Sequence, residues 1–210
     1  MPHLHFYFDT SSPWTYLAFH NVQPLARELQ VQIDWRPILV GGVFNAVNGS
    51  VYESRANPAP AKARWHGKSL QDWARLAGLT IKMPPSVFPV NSVTVQRALC
   101  GFAAAGETDK LLAFARAAFE AYWRDDADIS KEEAVRAAAV AAGLDPDAVM
   151  AHARDPAMKE TLRANTDELI ARGGFGSPTM FVVREGAPDD FYFGNDALPL
   201  VRAALLRAAP

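Results

Sequence analysis

A short polar turn between an apolar strand and an apolar helix is the stretch of this sequence best suited to chemistry. The apolar run Phe6-Tyr7-Phe8 stops at Asp9, and Thr10-Ser11-Ser12-Pro13 precedes the first helical spacing. Ser12 suits a helix N-cap, and Pro13 suits the first helical position, where no amide donor is lost. The free amides and the dipole of such a helix start favour a bound anion. The turn therefore predicts an anion site at the end of the strand.

The same turn lacks the residues of a thiol–disulfide centre. Such centres place two cysteines at a helix start in a C-x-x-C arrangement, whereas this helix start reads Ser11-Ser12-Pro13-Trp14. The single cysteine, Cys100, lies in a distant helical pattern and cannot form an internal disulfide. We interpret it as a small buried apolar residue rather than a reactive one. Any sulfur chemistry at the turn would thus need a sulfur atom brought by a ligand.

The patterns on both sides of the turn predict a βαβ unit. Residues 4–8 indicate a buried strand, residues 13–29 a helix with one apolar face, and residues 31–36 a second, alternating strand. A strand, a helix and a strand in this order predict two parallel strands. Residues 37–60 are rich in Gly, Asn and Pro, so we expect an irregular loop with one helical turn at 43–47. A loop of this length inside a domain is often functional.

Helical signals dominate the middle of the chain, and strand signals return near its end. Helix starts are expected at Asn91 or Ser92, Thr108, the capping box Ser130-Lys131-Glu132-Glu133, Asp145-Pro146 and Asp155-Pro156. The last of these helices should end at Gly173-Gly174. Residues 179–183 and 191–193 then predict two strands whose short connection makes them antiparallel. A closing helix follows from Leu198.

Composition limits the classes of function. The chain has 210 residues, half of them apolar, with a net charge of -2 and no long basic run, which argues against a nucleic-acid partner. No apolar stretch is long enough to cross a membrane, and no signal region opens the sequence, so we expect a soluble cytoplasmic protein. His3 and His5 would share one strand face, but no third ligand accompanies them, and no metal site is expected.

Landmarks along nearly the whole chain resemble one family. The order βαβ, helical block, ββα is similar to a thioredoxin fold with a helical insertion. Among such proteins the sequence resembles the DsbA-like group, and within it the kappa-class glutathione transferases and 2-hydroxychromene-2-carboxylate isomerases. The residues that carry the resemblance are Phe6-Tyr7-Phe8-Asp9, Ser12-Pro13-Trp14, Tyr16-Leu17, Pro60-Ala61-Lys62, Phe88-Pro89-Val90-Asn91, Phe175-Gly176-Ser177-Pro178-Thr179 and Gly194-Asn195-Asp196.

The resemblance implies a fold and a cofactor. It implies an α/β, thioredoxin-like domain of residues 1–60 and 173–210, with an all-helical insertion at 61–172. It also implies glutathione, with the thiol held at Ser12. Ser177 and Pro178 match the family's cis-proline loop, whose backbone pairs with the peptide backbone of glutathione. Gly194, Asn195 and Asp196 match the corner that binds the γ-glutamyl end, with the acidic side chain on its ammonium group.

Assignments in the loop before the insertion stay open. The resemblance implies an asparagine near the glycine end of glutathione and the substrate, and both Asn48 and Asn57 are candidates. Lys62 could attract a substrate carboxylate, and Arg55 and Arg64 are weaker alternatives. One or two aromatic residues of the helical block could line an aromatic pocket.

Three functions follow as hypotheses. The first is a glutathione-dependent isomerase of a 2-hydroxychromene-2-carboxylate-like aromatic carboxylate in aromatic degradation, in which the glutathione thiolate adds transiently and is then eliminated. The second is a kappa-like glutathione transferase, which consumes glutathione. The third is a non-catalytic thioredoxin-like binding module. A homodimer is plausible because relatives commonly pair, although no residue of this sequence specifies one.

Overall fold

A four-stranded sheet, whose two faces pack into separate apolar clusters, organises the fold, and the computed structural model describes residues 2–207. The strands are β1 (His3–Phe8), β2 (Ile33–Pro37), β3 (Thr179–Val183) and β4 (Asp190–Phe193). Their order is β2-β1-β3-β4, with β1 and β2 parallel and β3 antiparallel to both of its neighbours. The predicted βαβ unit and the antiparallel final strands are confirmed.

Helices cover the sheet and fill the middle of the chain. Those among the described residues are α1 (Pro13–Leu29), α2 (Val40–Val47), α3 (Ser50–Ala56), α4 (Pro60–Leu76), α5 (Val93–Ala104), α6 (Thr108–Trp123), α7 (Glu132–Ala141), α8 (Pro146–Arg154), α9 (Pro156–Ala171) and α10 (Leu198–Leu206). A 3₁₀ turn, Asn195–Ala197, leads into α10. No described helix combines the length and the apolar character needed to cross a membrane. The architecture is the expected thioredoxin-like fold with a helical insertion.

The core is continuous from the sheet into the helical block. On α1, Tyr16 stacks on Phe119 of α6 with ring centroids 5.0 Å apart, and Phe19 lies 5.3 Å from the same ring. Phe19 also contacts Trp35 of β2 at 5.3 Å. All four side chains are buried. Because burial of large aromatic side chains dominates core energetics, this packing holds α1 between the sheet and the insertion.

The predicted helical turn at residues 43–47 is confirmed as part of α2, but the irregular loop expected over the rest of residues 37–60 is wrong. Two helices, α2 and α3, occupy most of this range. Glycines misled the prediction: Gly42 lies in α2, where a Cβ would contact the Thr166 side chain of α9 at 3.4 Å. A small residue there lets the two helices approach closely. Such a short helix is stabilised by tertiary packing rather than by its own propensity.

Two of the expected helix caps are also wrong. Thr108 is already the first residue of α6, and the preceding Glu107 makes no side-chain cap bond. Ser130 does not cap α7, because its hydroxyl donates to Asp128 at 2.6 Å. The caps at Asp145 and Asp155 are confirmed, since each carboxylate accepts a backbone N–H two residues further along the chain. The proline in the first turn also favours a helix start locally, so these two helices could be predicted without knowing their tertiary contacts.

Candidate active site

The start of α1 places the Ser12 hydroxyl at the carboxyl end of β1. Ser12 has extended backbone angles, and its Oγ accepts the Thr15 N–H at 3.2 Å, so the predicted N-cap is confirmed. The same hydroxyl donates to the carbonyl of Ser177 at 3.2 Å. A helix start with a capped first turn carries partial positive charge. A small anion placed beside Ser12 would therefore meet a hydroxyl and a favourable helix dipole.

The loop before β3 faces this helix start. The Ser177–Pro178 peptide is cis, as the resemblance implied. The Ser177 side chain is turned inward, where its Oγ accepts the Asp9 N–H at 3.0 Å and lies 2.8 Å from the Thr15 hydroxyl. Since these contacts occupy the side chain, Ser177 can meet a ligand only through its backbone.

The corner that leads into α10 is joined to the same loop. The Gly194 N–H donates to the Pro178 carbonyl at 3.2 Å. Asn195 is 2% exposed, and its Oδ1 accepts from Nδ2 of Asn21 on α1 at 2.9 Å. Gly194 has φ of 91°, and a Cβ there would lie 2.6 Å from Oδ1 of Asp196. Glycine is required at this position, and the exposed Asp196 carboxylate folds back over it.

Asn48 reaches the cis-proline loop from the other side. It ends α2, and its Nδ2 donates to the carbonyl of Phe175 at 3.0 Å. The Ser50 hydroxyl donates to its Oδ1. Direct hydrogen bonds thus join Ser12 to Ser177 and Gly194 to Pro178, and Asn48 is joined to the same loop at Phe175, although the sequence separates these positions widely.

Asn57 and Lys62 are not connected to this cluster. Asn57 is the exposed residue that ends α3, and Lys62 is exposed in the first turn of α4. The Lys62 side chain forms no hydrogen bond or ion pair with any residue from 2 to 207. Arg64 is equally exposed on α4.

Arg55 is held over the site by two aromatic rings. Its guanidinium carbon lies 5.5 Å from the ring centroid of Phe44 and 5.5 Å from that of Phe88. Both distances are within the range of cation–π attraction. Arg55 forms no ion pair within the described part of the chain, so the edges of the guanidinium remain open to an anion.

The two rings locate Arg55 relative to the rest of the site. Phe44 lies beside the cis-proline loop, because a Cβ on Gly176 would be 3.6 Å from its ring. Phe88 packs edge-on against Trp123, with centroids 6.5 Å apart. The indole Nε1 of Trp123 donates to the Thr10 carbonyl at 2.9 Å. Arg55 therefore bridges the walls formed by the cis-proline loop and by the turn before α1.

Sequence reasoning missed the buried carboxylate beneath the turn. Asp9 is 1% exposed. Its oxygens accept from Ser11 N–H at 2.9 Å, from the Ser92 hydroxyl at 2.7 Å and from Val40 N–H at 2.8 Å. Burial raises the pKa of the Asp9 carboxyl above its usual range, and the three donors act in the opposite direction. Asp9 thereby fixes the starts of α1, α2 and α5 around one point.

Gln96 of α5 is the second residue that was missed. Its Nε2 donates to the carbonyls of Phe8 and Ile38 at 2.7 and 3.0 Å, and its Oε1 accepts from both the N–H and the hydroxyl of Thr10 at 3.3 Å. It is completely buried. The only sequence signal was a polar residue on the apolar face of a helix. Through Gln96 and Trp123, the insertion holds the turn that carries Ser12.

Neither a thiol nor a metal cluster of the protein's own is found at this site. Cys100 is buried in α5, and burial raises the pKa of its thiol to about 12. Within residues 2–207, no group of three or more His, Cys, Asp or Glu side chains is arranged to hold a metal ion. The groups available to a ligand at this site are a hydroxyl, the amides of a helix start, the backbone of the cis-proline loop and nearby cations.

Comparison with known proteins agrees with this fold. A family model for the DSBA-like thioredoxin domain matches residues 3–206. The chain is 31% identical to the 2-hydroxychromene-2-carboxylate isomerase of Sphingobium xenophagum over 96% of both chains. It is 24% identical to glutathione S-transferase kappa 1 of Caenorhabditis elegans, covering all of this chain and 93% of that one. A solved 2-hydroxychromene-2-carboxylate isomerase superposes with a TM-score of 0.74 at 26% identity, over 96% of this chain and 93% of that one.

Proposed function

Since this chain belongs to the DSBA-like thioredoxin family, in the group of the 2-hydroxychromene-2-carboxylate isomerases and kappa-class glutathione transferases, we propose that it is a glutathione-dependent isomerase. Its substrate would be a conjugated aromatic carboxylate similar to 2-hydroxychromene-2-carboxylate, met in the degradation of aromatic compounds. The observation that carries the proposal is the Ser12 hydroxyl. It lies at a helix start, opposite the carbonyl before a cis-proline, in a protein whose one cysteine is buried.

The residues around Ser12 fit glutathione. A thiol group at Ser12 would be next to a hydroxyl and the dipole of α1, which together lower the pKa of a sulfur atom. The Ser177 carbonyl would accept a peptide N–H of glutathione, and the Ser12 proton would then be free to turn to the sulfur. The exposed carboxylate of Asp196 suits the γ-glutamyl ammonium group, and backbone amides of Gly194 and Asn195 suit its carboxylate. Asn48 would reach the glycine end.

The chain's own residues would supply orientation and charge. When bound, glutathione supplies a thiolate that adds to a conjugated double bond and leaves again after the bond has rotated. Ser12 would hold the sulfur as an anion before addition and accept it again after elimination. Arg55 would hold the substrate carboxylate, and the Phe44 and Phe88 rings would contact its planar part. Asp9, Gln96 and Trp123 touch neither ligand and would position the turn.

Arg55 replaces Lys62 as the proposed partner of the substrate carboxylate. Both side chains are exposed, but the Arg55 guanidinium contacts two rings, so it should lose less side-chain entropy on binding than Lys62. Its planar edge can also bind a carboxylate through two hydrogen bonds. Lys62 and Asn57, which the structure does not connect to the site, remain alternatives.

The test follows free thiol and product together. The protein is incubated with glutathione and 2-hydroxychromene-2-carboxylate, and the thiol is counted during turnover. Isomerisation predicts product formation at constant thiol and no product without glutathione. Loss of one thiol per product would instead support a kappa-like transferase, which the relatives named glutathione S-transferase kappa favour as the second candidate. Absence of any thermal stabilisation by glutathione would support the non-catalytic binding module.

A homodimer is a further part of the proposal. Trp65 of α4 is 62% exposed and Leu76 is 78% exposed, which leaves apolar surface on one helix. Sedimentation of the protein at several concentrations would decide between a monomer and a dimer.

A further inference from the structure

A cleft of about 330 Å³ opens between α2, α5 and α9. None of the residues assigned above to glutathione or its substrate lines it. The volume is at the lower end of the range typical of small-molecule sites, roughly 300–1,000 Å³. The cleft is therefore large enough for a small organic ligand and is distinct from the Ser12 site.

The apolar walls of this cleft are aliphatic. They consist of Leu39, Ala46, Val93, Leu162 and Ile170, and no aromatic side chain among the described residues lines it. Such walls suit a flexible alkyl chain. They offer no stacking surface for the planar aromatic substrate proposed for the Ser12 site.

The charges that line the cleft are unbalanced. Arg97, Lys159 and Arg163 face a single acid, Asp167. Arg163 lies 3.5 Å from Asp167, so that acid has its cation. The side chains of Arg97 and Lys159 form neither an ion pair nor a hydrogen bond with any group in residues 2–207. Two positive charges are thus left without a counter-charge.

Arg97 is the more informative of the two cations. It lies on α5 and is only partly exposed, and its Nε is covered by protein without an acceptor. A partly buried charge without a partner is costly. The terminal nitrogens remain open to the cleft, so an anion there would compensate the charge through charge-assisted hydrogen bonds.

We propose that this cleft binds an aliphatic carboxylate, with the carboxylate group between Arg97 and Lys159 and the alkyl chain along the aliphatic walls. A compact anion such as inorganic phosphate would satisfy the cations but leave the walls without contacts. A neutral alkane would contact the walls but leave the cations without a counter-charge. An amphipathic anion contacts both the walls and the cations.

The test is a calorimetric titration of the full-length protein with octanoate, in the presence of saturating glutathione. Wild type should bind one octanoate per chain saturably, and octanamide, which lacks the charge, at least tenfold more weakly. Arg97→Gln should weaken octanoate binding at least tenfold, and the exposed Lys159→Gln at least threefold. Lys131→Gln, which removes an exposed cation outside the cleft, should bind like wild type.

Two results would overturn the inference. One is no saturable binding of octanoate to folded wild-type protein at millimolar concentration. The other is that both Lys159→Gln and Arg97→Gln bind octanoate as tightly as wild type does. If Arg97→Gln does not fold, unchanged octanoate affinity of Lys159→Gln is enough to overturn the inference. Because octanoate is not conjugated and isomerase turnover is not measured, neither result bears on the proposed function.

Discussion

The Ser12 hydroxyl has two hydrogen-bond partners inside the protein, and only one of them belongs to its own helix. It accepts the Thr15 N–H as an N-cap, and it donates its single proton to the Ser177 carbonyl. A hydroxyl proton can rotate, so the second bond can be exchanged for one to a ligand without moving the backbone. This freedom distinguishes Ser12 from Ser177, whose hydroxyl is enclosed between Asp9 and Thr15.

Arg55 and Lys62 provide a matched pair of cations at the site. Arg55→Gln should raise the KM for the aromatic carboxylate about tenfold or more, because a hydrogen bond to a charged group is worth about 1.5–3 kcal/mol. Lys62→Gln should change the KM less than threefold, since that side chain is exposed and unsupported. Steady-state kinetics at saturating glutathione measures both. A larger increase of the KM in Lys62→Gln than in Arg55→Gln would show that Lys62, and not Arg55, binds the substrate carboxylate.

The Cys100 thiol should be unreactive in the folded protein. Burial raises the pKa of its thiol to about 12, so the reactive thiolate is scarce at pH 7 to pH 10, roughly. Alkylation by iodoacetamide, followed by mass spectrometry, should label native protein far more slowly than protein unfolded in urea. Rapid labelling of the native protein would mean that the protein has a usable thiol of its own.

Among the elements, α5 does most to position the site. Its residue Gln96 satisfies two carbonyls and the N–H and hydroxyl of Thr10. Gln96→Leu should lower the free energy of unfolding by about 3 kcal/mol, because several buried polar groups lose their partner. It should also reduce turnover by displacing the turn.

Gln71→Leu on α4 is the control for Gln96→Leu. Gln71 makes one hydrogen bond, to the Ile81 carbonyl, so its loss should cost about 1 kcal/mol. Urea unfolding of both variants gives the comparison. Equal costs, or full activity in Gln96→Leu, would contradict the role assigned to α5.

Local sequence signals were sufficient to predict most helices and strands, but not the hydrogen bonds and contacts that join them. Pro13 and the two Asp-Pro pairs predicted helix starts correctly, because each cap acts within a few residues. The first turn of α2, before the predicted helical turn at 43–47, escaped prediction because it is stabilised by a contact with α9 and by the bond from Val40 N–H to Asp9. The helix α3 was not predicted either. The bonds of Gln96 to Thr10 span 86 positions of the chain, and no local pattern encodes such a pairing.

At the scale of the whole molecule, the thioredoxin-like part and the insertion share one core. The division into a thioredoxin-like domain of residues 1–60 and 173–210 and an insertion domain of residues 61–172 remains a prediction. Side chains of α1 pack on α6, and Trp123 and Gln96 of the insertion bond to the turn before α1. Neither part buries its apolar surface alone.

The two parts should consequently unfold together. In calorimetry, the measured enthalpy of unfolding should equal the van't Hoff enthalpy, as it does for a two-state transition. Circular dichroism and tryptophan fluorescence should report one shared midpoint. Two separated transitions would show that the insertion is an independent unit, and the positioning argument for Gln96 and Trp123 would lose its basis.

The central claim is that Ser12 holds the sulfur of glutathione as a thiolate. The most direct measurement is the ultraviolet absorbance of the thiolate in glutathione bound to wild type and to Ser12→Ala, recorded from pH 5 to pH 9, roughly. Free thiols have a pKa of about 8.5. We predict that the pKa of bound glutathione in wild type lies at least one unit below that of Ser12→Ala, with both proteins folded and saturated. Equal thiolate titrations in the two proteins would contradict the account.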